Sequence, residues 1–162
     1  MIEVRAPRPE ELAEVGEITV AAYTADGHLH GDEDYAAQLA DAHRRAELAE
    51  LLVAVLDGVV VGTVTVGAAG TPYAEVARPG ELEFRMLAVS AAGRGQGVGE
   101  ALVRAVLAQA VDAGSTAVVI STMDSMAAAH RLYARLGFTP APERDWEPVP
   151  GTPLRVLLRP VA

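Results

Sequence analysis

The segment that most limits the architecture is Arg94-Gly95-Gln96-Gly97-Val98-Gly99, with three glycines in six residues. Glycines so close together continue neither a strand nor a helix, so the chain must turn there. Before it, Leu82 to Val89 sets Glu83, Arg85 and Leu87 on one face and Phe84, Met86 and Ala88 on the other, as a central strand does. After it, Val98, Leu102, Val106 and Val111 form the stripe of a long helix that Gly114 ends. A strand that hands over to a helix through glycine leaves several backbone N–H groups at the positive end of the helix dipole, which makes an anion site. Without side chains a diphosphate approaches the backbone closely, and Arg94 adds a charge-assisted contact.

A dinucleotide-binding loop is excluded on two counts. It would need glycine where Glu100 stands, and a first strand near the start of the chain rather than near residue 85. All 13 Lys/Arg residues are arginine, so the lysine of a phosphate loop and Schiff-base chemistry are absent. The chain has no cysteine, which removes disulfides, cysteine–zinc sites and an acyl-cysteine intermediate.

The rest of the pattern predicts one α/β domain over residues 1–162, a mixed central β-sheet flanked by about four helices. Ile2 to Arg5 reads as a strand, and a helix runs from Glu10 through Leu12, Val15, Ile18 and Ala22. A second helix is expected over about Tyr35 to Glu47, with Tyr35, Leu39 and Ala42 on its apolar face. Leu51 to Leu56 and Val59 to Val66 form a hairpin across Asp57-Gly58. Ala117 to Ser121 is a buried strand, Asp124-Ser125 caps a helix over Met126 to Leu136, and Gly137 closes it. Phe138-Thr139 opens another strand, five prolines between Pro140 and Pro153 mark an irregular loop, and Leu154 to Leu158 is the last strand.

With these motifs in view, the sequence resembles the GCN5-related N-acetyltransferases (GNAT family). The resemblance rests on Leu87-Ala88-Val89, then Arg94-x-x-Gly97-x-Gly99, then the long helix, then Ala129-x-x-Leu132-Tyr133-x-x-x-Gly137-Phe138. It implies that residues 94–99 hold the pyrophosphate of acetyl-coenzyme A, and that the backbone of Leu87, Ala88 and Val89 pairs with the pantetheine arm like an added strand. It further implies that Tyr133 donates a proton to the departing thiolate as general acid, and that Glu83 is the base, with Glu81 as an alternative. The family's frequent asparagine seven residues before the tyrosine is replaced by Met126. No metal is required, although His28, His30, Asp32, Glu33 and Asp34 offer ligand types in a loop that borders the acceptor site in the family.

Net charge is −9 and unevenly spread: residues 1–50 hold 12 acids against 4 arginines. Such a surface disfavours nucleic acid and suits a cationic acceptor, here a small-molecule or peptide amine. The longest apolar stretch, Leu51 to Val66, is broken by Asp57 and two glycines, so no membrane span is expected. The start carries no secretory pattern, and a cytoplasmic enzyme is expected, with a homodimer allowed by the resemblance. Two other functions share the motifs: an acyl-coenzyme A-binding regulatory module without turnover, and transfer from a bulkier donor such as succinyl-coenzyme A, for which Arg85 is a candidate contact.

Overall fold

A computed structural model describes residues 1–25 and 33–161. The loop from His28 to Asp32, which offers metal-ligand residue types, lies outside these residues. In chain order the elements are β1 (Ile2–Arg5), α1 (Leu12–Ala25), α2 (Glu33–Ala40), α3 (Ala42–Leu48), β2 (Glu50–Leu56), β3 (Val59–Ala68), β4 (Glu81–Val89), α4 (Val98–Asp112), β5 (Ala117–Thr122), α5 (Ala127–Arg135), β6 (Thr139–Pro140), β7 (Trp146–Val149) and β8 (Thr152–Pro160). The sheet runs β1-β2-β3-β4-β5-β8-β6, with β7 paired to β8. Among the described residues, only β4 and β5 pair in parallel.

The sheet buries both faces. On one, Leu52, Val64, Val66, Phe84, Val118 and Ile120 pack against Val98, Leu102, Val103 and Val106 of α4. On the other, Leu51, Val53 and Val55 meet Val15 of α1 and Ala42 of α3. The β2–β3 hairpin turns as its sequence requires, with Asp57 at φ 52° and Gly58 at φ 80°, the left-handed pair of a tight turn. No described helix is long and apolar enough to cross a membrane.

Several expectations need correction. The single helix over Tyr35 to Glu47 is two helices, because Asp41 leaves helical geometry and its side chain accepts from the Arg44 N–H to cap α3. The described residues therefore form five α-helices rather than about four. Val111 is 58% exposed, and Ala110 takes its place in the stripe, since Val98, Leu102, Val106 and Ala110 follow one another at steps of four. Asp124 and Ser125 do not cap α5: its N-cap is Met126, without a side-chain bond, and Asp124 instead pairs with Arg155. The proline-rich loop contains β7, where Pro148 is tolerated because the strand pairs on one side only, with β8.

The most consequential departure is in β4. Thr65 faces Arg85, yet Thr63 faces Ala88, so β4 carries one extra residue at Met86, whose φ is 56°. This bulge reverses the side-chain alternation. Phe84, Leu87 and Val89 pack on the α4 face, whereas Met86 joins Leu39 and Tyr73 on the other.

Candidate active site

The site begins where the sheet opens. β4 and β5 pair only across Glu81–Ala117, Leu82–Val118 and Glu83–Val119. Beyond Glu83 the two strands part, while β4 stays bonded to β3 through Ala88 and Val89, and β5 stays bonded to β8 as far as Thr122. The β5-facing edge of Leu87, Ala88 and Val89 is thus outside that ladder, beside a gap that joins the two faces of the sheet.

The glycine-rich loop lies at the end of the same strand. A 3-10 turn over Ala91–Gly93 leads into it, and α4 starts from Gly97 at φ 78° with no side-chain cap. Its first-turn N–H groups, those of Val98 and Gly99 among them, are left for an outside acceptor. Gly95 and Gly97 both have positive φ, and a Cβ at either would meet nothing within 4 Å. These glycines are therefore required by backbone conformation, and the space beside them is open. Gly99 has a different role, since a Cβ there would come within 3.2 Å of Leu132 Cδ2, so it sets the approach of α4 to α5. The Val98 side chain is 1% exposed in the core and leaves only its backbone for a ligand. Gln96 folds back, donating from Nε2 to Ala92 O at 3.2 Å, and Arg94 is exposed on the loop.

Tyr133 packs on the α4 face of the sheet. It is 5% exposed and packs edge-on against Phe84, with ring centroids 5.7 Å apart. Burial raises the phenol well above its ordinary pKa, so the hydroxyl keeps its proton at neutral pH. Glu83 occupies the opposite face, as the residue before Phe84 on an extended strand must. Its side chain is 1% exposed, and Oε1 accepts from the N–H of Val76 at 2.8 Å and of Ala77 at 3.0 Å. Burial raises its pKa, and these backbone N–H groups pull against that rise.

Glu81 is tied up otherwise. Arg144 donates to both of its oxygens, at 2.8 and 3.0 Å. Burial works to raise the Glu81 pKa, but the hydrogen bonds from Arg144 and the Arg78 N–H outweigh it and leave the carboxyl low, a poor proton acceptor at neutral pH. The loop of residues 75–77 is strapped over β4 at three points: Glu83, Arg144 Nη2 to Val76 O at 2.6 Å, and Glu75 to Arg85 Nη2 at 2.7 Å.

Sequence reasoning missed the aromatic lining of this second face. Tyr23 of α1 and Tyr35 of α2 meet edge to face with ring centroids 6.1 Å apart, and both pack beside Tyr73 and Met86. Burial raises the Tyr23 phenol well above its ordinary pKa. In sequence, Tyr35 reads as an apolar position of a helix and Tyr23 belongs to no motif, and their meeting across two helices has no local signal. His130 is half-buried, with Nε2 at 2.7 Å from Thr122 Oγ1 and 3.0 Å from Met123 O. Trp146 anchors its loop through Nε1 to Ser121 Oγ at 3.1 Å. A groove of about 710 Å³ lined by Leu48, Val66, Gln109 and Asp112 lies at the C-terminal end of α4 and belongs to a different part of the molecule.

An uncapped helix start, glycines held at positive φ and an open strand edge fit a long ligand with an anionic head and amides along its arm. Known proteins agree with that outline. The sequence profile described as the acetyltransferase (GNAT) family matches residues 12–138. N-acetylaspartate synthetase of Homo sapiens is 38% identical over 107 residues, 66% of this chain and 33% of that protein. The chain thus spans about a third of the length of the curated relatives it matches. Among solved structures, a GNAT-family acetyltransferase from Staphylococcus aureus Mu50 superposes with a TM-score of 0.78 at 15% identity, covering 100% of both chains. YncA of Salmonella typhimurium, solved with its cofactor acetyl-CoA, gives 0.69 at 23% identity, over 100% of this chain and 95% of that one. With a profile match across most of its length and the motif residues gathered around one opening in the sheet, the chain belongs to the GNAT acetyltransferase family.

Proposed function

We propose that the protein transfers an acetyl group from acetyl-coenzyme A to a primary amine by direct attack, with Tyr133 as general acid and Glu83 as general base. What supports this reading is that β4 and β5 part after Glu83, with the uncapped start of α4 beyond the end of the same strand and Tyr133 packed against Phe84, the first residue past the ladder. Residues 94–99 would hold the pyrophosphate, and Leu87, Ala88 and Val89 the pantetheine amides. Acetyl-coenzyme A supplies the acyl group as a thioester.

An alkylamine arrives as its ammonium and must lose a proton before it attacks. The acidic first third of the chain favours that cationic head. Glu83 takes the proton, directly or through water, and its raised pKa brings it nearer to working pH than an exposed glutamate. The proton on Tyr133 Oη, kept there by burial, passes to the departing sulfur. A cytoplasmic setting and a homodimer belong to the same reading, and fractionation and light scattering test them.

The test compares wild type with Tyr133→Phe by release of free coenzyme A and by thermal shift with acetyl-coenzyme A. Turnover should fall roughly 10²-fold with the shift unchanged, whereas equal turnover removes Tyr133 from the mechanism. A shift with no turnover on any amine supports the regulatory-module reading instead.

A further inference from the structure

The face of β4 that meets α1–α3 carries positive charge that the transfer of an acetyl group does not use. Arg85 projects there with its side chain 18% exposed, held by the Glu75 carboxylate at 2.7 Å. Nearby, Arg45 is wholly buried. Its Nη1 donates to Gln38 O at 2.6 Å and Leu39 O at 2.9 Å, closing the end of α2, while its Nε and Nη2 have no hydrogen-bond partner. Leu39, whose carbonyl accepts from Arg45, packs with Met86 of β4 and with Tyr23, Tyr35 and Tyr73. A buried guanidinium with unmet donors is costly, and the cost falls when an anion comes close.

From this arrangement we infer that the acceptor amine carries a carboxylate, that Arg85 is its anchor, and that Glu75 occupies Arg85 until the acceptor displaces it. The inference rests on the acetyl-transfer reading and names the substrate class. Glu75 is suited to give way because it is 39% exposed on a loop and its carboxylate has the same charge and geometry as the incoming group. Arg85 belongs to the acceptor side: it precedes the bulge, shares its face with Glu83 and Met86, and lies across the sheet from Tyr133 and the α4 start. Tyr23 and Tyr35, in edge contact at 6.1 Å, come from the two helices packed on this face. The ammonium then faces Glu83 and the carboxylate faces Arg85, which reconciles an acidic chain with a cationic wall.

The experiment uses the full chain, wild type, Arg85→Gln and Glu75→Gln, with aspartate, alanine, ethylamine and putrescine as acceptors at matched ionic strength. The expected result is a preference for aspartate over ethylamine and putrescine. That preference should collapse about 10- to 100-fold in Arg85→Gln, mostly in KM, the range of one charge-assisted hydrogen bond. Glu75→Gln should move KM for aspartate the other way, to a several-fold lower value, which a merely structural ion pair would not do. Succinate, a dicarboxylate without an amine, should raise the melting temperature of the coenzyme A-bound wild type and not of Arg85→Gln. Preference for ethylamine or putrescine, an unchanged ratio in Arg85→Gln, or no succinate shift in wild type overturns the assignment. If Arg85→Gln alters the choice between succinyl- and acetyl-coenzyme A and not that between acceptors, Arg85 serves the donor and the assignment falls. If no amine releases coenzyme A although acetyl-coenzyme A still stabilises the protein, the acetyl-transfer reading fails, and the succinate arm still decides the carboxylate site.

Discussion

Gly62 on β3 fixes how closely the start of α4 approaches the sheet, and Gly62→Ala measures what that approach is worth. A Cβ at position 62 would lie 2.6 Å from Val98 Cγ1, 3.1 Å from Leu102 Cδ1 and 3.2 Å from Ala88 O, whereas ordinary contact begins at 3.4 Å, so the Val98 methyl must retreat by 0.8 Å. Val98 is 1% exposed and β-branched, with one favoured rotamer in a helix, so the retreat has to come from the first turn of α4 itself. Overpacking of this size costs about 1–3 kcal/mol, and the lower entropy of the unfolded alanine chain offsets about 0.4–1 of that. A net loss of about 1–2 kcal/mol corresponds to about 3–6 °C in a chain of this length. The same displacement moves the N–H groups proposed to hold the pyrophosphate, so the stabilisation by acetyl-coenzyme A should shrink as well. Val98→Ala removes the clashing methyl. In a double-mutant cycle read by thermal unfolding with and without acetyl-coenzyme A, the pair should show at least about 1 kcal/mol of favourable coupling. Additive losses, or a Gly62→Ala protein that melts and binds like wild type, would refute the claim that this glycine seats the helix.

Other consequences can be checked in the same way. Arg144→Ala leaves the Glu81 carboxylate, 11% exposed, without its partner, and should cost about 3–5 kcal/mol in denaturant unfolding, against a small effect for Arg104→Ala on the exposed Glu100 pair. Glu11, whose pKa is lowered to about 2 by Arg5 and the Arg8 N–H, contributes stability above the ordinary glutamate range that is lost as pH falls toward about 2. The melting difference between wild type and Glu11→Gln should therefore be largest at neutral pH and vanish in acid. Gly97→Ala puts a side chain at φ 78°, at a strain of about 1–2 kcal/mol, and should weaken acetyl-coenzyme A binding even though no neighbour obstructs the new methyl.

What could be read from the sequence was whatever depended on neighbours in the chain. Asp57-Gly58 specified its turn, and the glycines of residues 94–99 specified a strand-to-helix junction, because turn chemistry is local. Asp41 lies inside the span predicted as one helix, although its side chain is able to cap a new one, since capping and continuation differ by only about 1 kcal/mol. The bulge at Met86 left no mark in the alternation of residues 82–89. Apolar residues occur on both faces of a strand buried on both sides, so the pattern tolerates a slip by one. Glu83 was legible as a polar residue in a buried strand, but its partners, the N–H groups of Val76 and Ala77, come from a loop whose path no periodicity reveals.

The short ladder between β4 and β5 has a further meaning for the protein without its ligand. Most sheets keep their unpaired backbone at the rim, where short strands, charges and prolines discourage other chains from adding on. Here the strands part after Glu83 and Val119, and two such margins open inside the sheet. Neither margin carries a lysine or a proline as a guard: residues 84–89 are Phe-Arg-Met-Leu-Ala-Val, and residues 120–122 are Ile-Ser-Thr. Anything extended and rich in amides that fits the slot will complete the sheet. Occupancy of the slot is then a matter of colloidal behaviour as well as of catalysis, and the ligand-free protein is the form in which self-association through strand addition should begin.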